Sequence, residues 1–168
     1  MTRLYLNGKY CVRCGRKRET PYLRKNWKLL IRERRQPFVI DIGCGNGRNS
    51  KFMENHGCQI FPLDMVDDFG MKITLGHDPI PLPNNSVDII LANYIFMFLD
   101  NDERDQLIGE LKRVAKPMCK IMVELYAAKD SYTPTKEEVD KLQRQLCEKL
   151  GWIPIKYNTE RFIAEKLS

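Results

Sequence analysis

The chain has 168 residues, 43% hydrophobic and 30% charged, which suits one domain with its own core and excludes a disordered or fibrous protein. No apolar run approaches the roughly 20 residues of a membrane span. The basic N-terminus lacks the apolar stretch of a secretory signal, so the six cysteines read as reduced thiols of a cytoplasmic protein rather than a disulfide framework.

The net charge of +6 is unevenly placed: residues 1–36 hold 12 Lys/Arg against 2 Asp/Glu, and the rest holds 16 against 20. A basic N-terminal arm (1–36) therefore precedes a mildly acidic body (37–168). Such asymmetry suits a polyanionic partner, nucleic acid above all, although a solvated basic helix has the same pattern. Residues 1–20 read as a tether around "YCVRCGRKR". Residues 21–35 read as a helix whose Leu23, Trp27 and Leu30 share one apolar face, closed by Pro37. That spacing places Trp27 in a core or over a ligand rather than on a base-stacking platform.

"FVIDI" (38–42) is an apolar run of the kind buried on both faces of a sheet. A glycine turn follows, then a helix over about 46–56 with Gly57 as its stop. "CQIFPLD" (58–64) predicts a second strand and "MKITLGHD" (71–78) a third. "VDIILANYI" (87–95) predicts a long buried strand, 102–115 a helix, and 119–126 another strand. Thr135 with Glu138 has the capping-box pattern ahead of a helix that ends at Gly151, and the last two apolar runs are close enough for a hairpin. The sum is an α/β protein: a doubly wound, mostly parallel sheet with helices on both faces and an antiparallel edge.

Ligands of such sheets bind beyond the carboxyl ends of the strands. There the sequence places Asp41, then Gly43, Gly45 and Gly47, spaced G-x-G-x-G rather than the G-x-G-x-x-G of a dinucleotide site. Asp64 ends the second strand, where a carboxylate can accept ribose hydroxyls, and Asp78 ends the third, where it can read an adenine edge. Three acids in order, at the same end of successive strands, argue for a site more strongly than the glycines do alone.

Together "FVIDIGCGNGRNS", "FPLD", "GHDPIPLPNNSVDIILANYIFMFL" and "LIGELKRVAKPMCKIMVEL" resemble a class I S-adenosylmethionine-dependent methyltransferase, from about residue 37 to 126 and on through the closing helix and strand pair. The resemblance implies a seven-stranded Rossmann-like sheet with its last strand reversed. It implies that Asp41, Gly43, Cys44, Gly45 and Gly47 cradle the methionine part of S-adenosylmethionine. Asp64 with Met65 would hold the ribose, His77 with Asp78 would lie at the adenine, and Asn93 with Tyr94 would line the methyl-transfer site. The sequence departs from the family where 64–78 is too short for the usual helix, and where Met118–Lys120 replaces the usual glycine pair.

Tyr94, Glu124 and Tyr126 are candidate bases by position. Asn93-Tyr94-Ile95 lacks the proline pair of many base-amino methyltransferases. Cys11 and Cys14 form half a zinc knuckle; a structural zinc needs four ligands and no second pair follows, so reduced thiols are preferred to a metal site. The leading expectation is methyl transfer to a nucleic acid, RNA before DNA, docked by the arm. A small molecule or protein acceptor, and a non-catalytic binding module, are the alternatives.

Overall fold

The computed structural model describes residues 3–6 and 9–12 as backbone, and residues 17–65, 69–125 and 134–167 in full. Strands β1 (Arg3–Leu6) and β2 (Lys9–Val12) pair as an antiparallel hairpin, Leu6 opposite Lys9, where a tether was expected. The sequence signal is Asn7-Gly8 between two strand-like runs, the favoured pair for a two-residue hairpin loop.

Helix α1 (Pro21–Ile31) starts where expected: the Thr20 side chain accepts from the Leu23 N–H and Pro21 fills the first turn. It stops four residues short of the predicted end. Arg32 is extended, Pro37 disfavours helix before it, and the Arg34 guanidinium is drawn 2.6 Å from Asp88 in the sheet. Helix α2 (Arg48–Glu54) is shorter than expected at both ends, because Gly47 is left-handed and cannot continue a helix backwards.

A seven-stranded sheet has the order β5-β4-β3-β6-β7-β9-β8. Its members are β3 (Phe38–Ile42), β4 (Gln59–Asp64), β5 (Met71–Lys72), β6 (Val87–Asn93), β7 (Ala115–Glu124), β8 (Ile153–Asn158) and β9 (Arg161–Glu165). The pairs from β5 to β7 are parallel, and β9 runs antiparallel to both neighbours. The expected doubly wound sheet with a reversed last strand is thus what forms.

Alternation along the strands divides the core. Val39, Ile89, Leu91, Met122 and Ile163 pack with α1 and α2 on one face. Ile40, Ile42, Ile90, Ile121 and Val123 pack on the other with α3 (Asn101–Val114) and α4 (Lys136–Leu150). Trp27 lies between α1 and α2, its ring 4.0 Å from that of His56. The predicted Thr135–Glu138 capping box is present, and a second, Asp100–Glu103, starts α3.

Two local expectations are corrected. The third strand is two residues, not eight: beyond Lys72 the chain closes into a turn, with the His77 and Asp78 N–H groups bonded to the Thr74 carbonyl and Gly76 left-handed. Among the described residues no helix lies between β4 and β5. Strand β7 begins earlier than predicted and runs through Met118, which takes φ +62° where the family has glycine, its N–H bonded to the Lys166 carbonyl.

Candidate functional site

The turn after β3 is stitched to β4: the Gly43 and Cys44 N–H groups both bond the Leu63 carbonyl, at 2.8 and 3.0 Å. Gly43, Gly45 and Gly47 have φ of 69°, 56° and 72°, a region L side chains resist. Their surroundings differ. A Cβ on Gly43 would come 2.9 Å from Ile95 Cδ1, and one on Gly47 would fall inside the Phe69 ring. A Cβ on Gly45 would meet nothing within 4 Å. The space over Gly45 is the open floor of the loop, so the residues fit a ligand that needs close backbone approach.

The acids take distinct parts. The Gly45 N–H donates to Asp64 Oδ2 at 2.7 Å, which fixes the loop and the end of β4 to one another. Asp41 is buried behind the loop and accepts from Ser50 Oγ at 2.6 Å, tying β3 to the first turn of α2. Burial pushes its carboxyl up to about 6, opposed by the Ser50 hydrogen bond and reinforced by Asp64. Met65 follows directly, packed against the core. Cys44 contributes backbone to the loop while its thiol is buried toward Gly70.

His77 and Asp78 are occupied elsewhere. Asp78 Oδ2 accepts from the Thr74 N–H at 2.6 Å, which holds this exposed carboxyl below its ordinary range. His77 Nε2 lies 3.0 Å from Glu103 Oε1 on α3. With Gly76, Pro79, Gln106 and Glu110 they line an open groove of 280 Å³ beside α3, not the floor over Gly45.

At the end of β6 the picture is richer than the sequence suggested. Tyr94 is left-handed (φ +60°), a conformation that costs a non-glycine residue energy and that its surroundings must hold in place. Glu124, completely buried at the end of β7, accepts from Asn93 Nδ2 at 2.5 Å, from the Tyr94 hydroxyl at 3.1 Å and from the Thr20 hydroxyl. Arg161 Nε stands 3.3 Å away as an ion pair. Burial, then Glu124, pushes the Tyr94 phenol up to about 12. Tyr94 thus keeps its proton at neutral pH, and Glu124 is engaged by its own chain. Tyr126 lies outside the described residues.

Thr20 reaches further. Its backbone N–H donates to Asn49 Oδ1 at 2.9 Å, just after the glycine loop. Thr20 and Asn49 were missed in sequence, Thr20 because it reads as a plain helix cap. The signal for Glu124 was one acid inside the apolar run "CKIMVEL".

Cys14 lies outside the described residues, as do Arg13 and Arg16, and Cys11 is described in backbone alone. Among the described residues no cluster of three or more His, Cys, Asp or Glu could hold a metal, and no helix is long and apolar enough to cross a membrane.

A parallel sheet with an open glycine turn after its first long strand, an acid at the end of the next and a polar node at the ends of β6 and β7 defines a nucleoside-cofactor enzyme scaffold. A family model described as a methyltransferase domain matches residues 40–123, half of the chain. The chain belongs to the class I S-adenosylmethionine-dependent methyltransferase family, whose cofactor is S-adenosylmethionine.

Among curated proteins, phosphoethanolamine N-methyltransferase 1 of Triticum aestivum is 27% identical over 95 residues, which is 47% of this chain and 19% of that protein. The chain thus spans about a fifth of the length of this curated relative. Among solved structures, a SAM dependent methyltransferase from Aquifex aeolicus superposes with TM-score 0.64 at 20% identity, over 87% of this chain and 92% of that one. The Burkholderia thailandensis 1,6-didemethyltoxoflavin-N1-methyltransferase, solved with S-adenosylhomocysteine, gives 0.61 at 13% identity, over 80% and 72%. At these identities the likeness shows the fold.

Proposed function

We propose that this protein transfers the methyl group of S-adenosylmethionine to RNA, with residues 1–36 docking the acceptor and 37–168 holding the cofactor. The observation that carries the reading is Thr20. It belongs to the basic segment, yet bonds both Asn49 behind the glycine loop and Glu124 at the end of β7. In the same segment Lys17, Arg18, Lys25, Lys28 and Arg32 are exposed, as is Lys51 of α2. Such cations suit phosphate contacts.

The bound cofactor supplies an electrophilic methyl on a sulfonium. The open backbone at Gly45 admits its amino-acid part, and Asp64, fixed by the loop, presents a carboxylate to its ribose. Asn93 and Tyr94, at the end of β6, would position the acceptor for the transfer. Tyr94 acts as a hydrogen-bond donor, since its phenol stays protonated at neutral pH. The thiols of buried Cys58 and Cys119 and of partly buried Cys147, all held protonated by desolvation, suit a cytoplasmic setting.

A second reading is a small amine acceptor, favoured by the wheat phosphoethanolamine N-methyltransferase. Incubation with methyl-tritiated S-adenosylmethionine and, in parallel, RNA, DNA and phosphoethanolamine separates the two. Label in RNA, abolished at high salt, supports the first reading. Label in phosphoethanolamine alone replaces it with the second.

A further inference from the structure

One buried carboxyl group collects donors from three separate parts of the chain. Glu124 Oε1 accepts from the Thr20 hydroxyl and from Asn93 Nδ2, the latter at 2.5 Å. Oε2 accepts from the Tyr94 hydroxyl at 3.1 Å and pairs with Arg161 at 3.3 Å. Three hydrogen bonds and one ion pair thus converge on the two oxygens of this carboxylate. Glu124 is completely buried, so it acts on the site through the groups it holds.

What this arrangement does is fix orientation. An amide whose Nδ2 is held by a carboxylate cannot flip without placing its oxygen against that carboxylate. Asn93 Oδ1 is consequently determined as well, and it is buried without a hydrogen-bond partner among the described residues. Such an acceptor has given up its water without compensation until a donor reaches it.

Resting on the methyl-transfer reading, we infer that Thr20 and Glu124 are positioning residues: the hydroxyl of the basic segment and the carboxylate of β7 together set the Asn93 amide and Tyr94 phenol against the ligands. The Asn93 Oδ1 so presented receives an N–H or O–H donor of the cofactor or acceptor. The N-terminal segment is then part of the floor of the site, and its seating is felt at Asn93.

The test uses Thr20→Val, which keeps the shape and removes the hydroxyl, and Thr20→Ser, which restores it. The side-chain amide resonances of Asn93 in the ¹⁵N-labelled protein, assigned through Asn93→Asp, report the node without any substrate. T20V should move them and T20S return them toward wild type. With the labelled acceptor at saturation, kcat of T20V should fall about 10-fold or more, with S-adenosylhomocysteine affinity kept and T20S active. Asn93 resonances unmoved in T20V would overturn the inference. So would a T20V that loses only thermal stability while kcat holds well below its melting temperature. If T20V moves Asn93 but the wild type methylates no acceptor, the functional reading fails and the Thr20–Asn93 coupling stands.

Discussion

Asp64 holds Gly45: the N–H of the middle loop glycine donates to the carboxylate that ends the neighbouring strand, at 2.7 Å. Loop and acid are one unit before any ligand arrives. Over Gly45 the space is open, so a side chain there meets the ligand rather than the protein. Gly45→Asp should fold, at a cost of about 1 kcal/mol for the left-handed conformation, and lose S-adenosylhomocysteine binding. Calorimetry with a circular-dichroism control checks both. Undiminished binding would place the cofactor elsewhere.

Asp41 makes stability depend on pH. Its carboxyl is raised from an ordinary 3.8 to about 6 by burial, so between those values the folded state holds its proton more tightly than the unfolded chain. Its contribution is present below about pH 4 and is lost as pH rises toward 6, by on the order of 3 kcal/mol. Asp41→Asn cannot titrate. The melting temperature of D41N relative to wild type should climb between pH 4 and 7, and a constant difference would contradict the buried, raised carboxyl.

Met118 carries a conformational cost. It holds φ +62° in the middle of β7, and its side chain is half exposed, so little packing is at stake. Met118→Gly should stabilise the protein by roughly 1 kcal/mol in urea denaturation. A loss of stability would mean that the side chain packs more than its exposure suggests.

The exposed cations of the N-terminal segment and α1 should carry the salt dependence of RNA binding. Replacing Lys17, Arg18, Lys25 and Lys28 with alanine should flatten the plot of log K against log salt by about 0.7 for each phosphate no longer neutralised. An unchanged slope removes the ground for preferring RNA over a small amine.

Much of the cofactor side was legible because its signals are local. An apolar run, an acid and three glycines lie within ten residues, and Asp64 closes the next run. Asn93, Tyr94 and Glu124 were also named from the sequence, but the link of Glu124 to Thr20 was not, because the two are 104 residues apart and Thr20 reads as a plain helix cap. The length of the third strand was misread for a different reason. The strand-like alternation of "MKITLGHD" does not survive Gly76, where the backbone turns left-handed and folds both residues back on Thr74. The hairpin of β1 and β2 was hidden because the basic residues around it outweigh the short turn signal Asn7-Gly8.

Phe69, in the shortened connection between β4 and β5, occupies the place a side chain on Gly47 would need. Position 47 is thereby crowded by the exposed Phe69 ring, on top of its left-handed backbone, whether or not a cofactor is ever bound. Position 45 has no such neighbour. Two glycines two residues apart thus answer to different selective pressures. A library sorted for folded protein would keep glycine at 47 and admit other residues at 45, and sorting for cofactor retention would then restore glycine at 45.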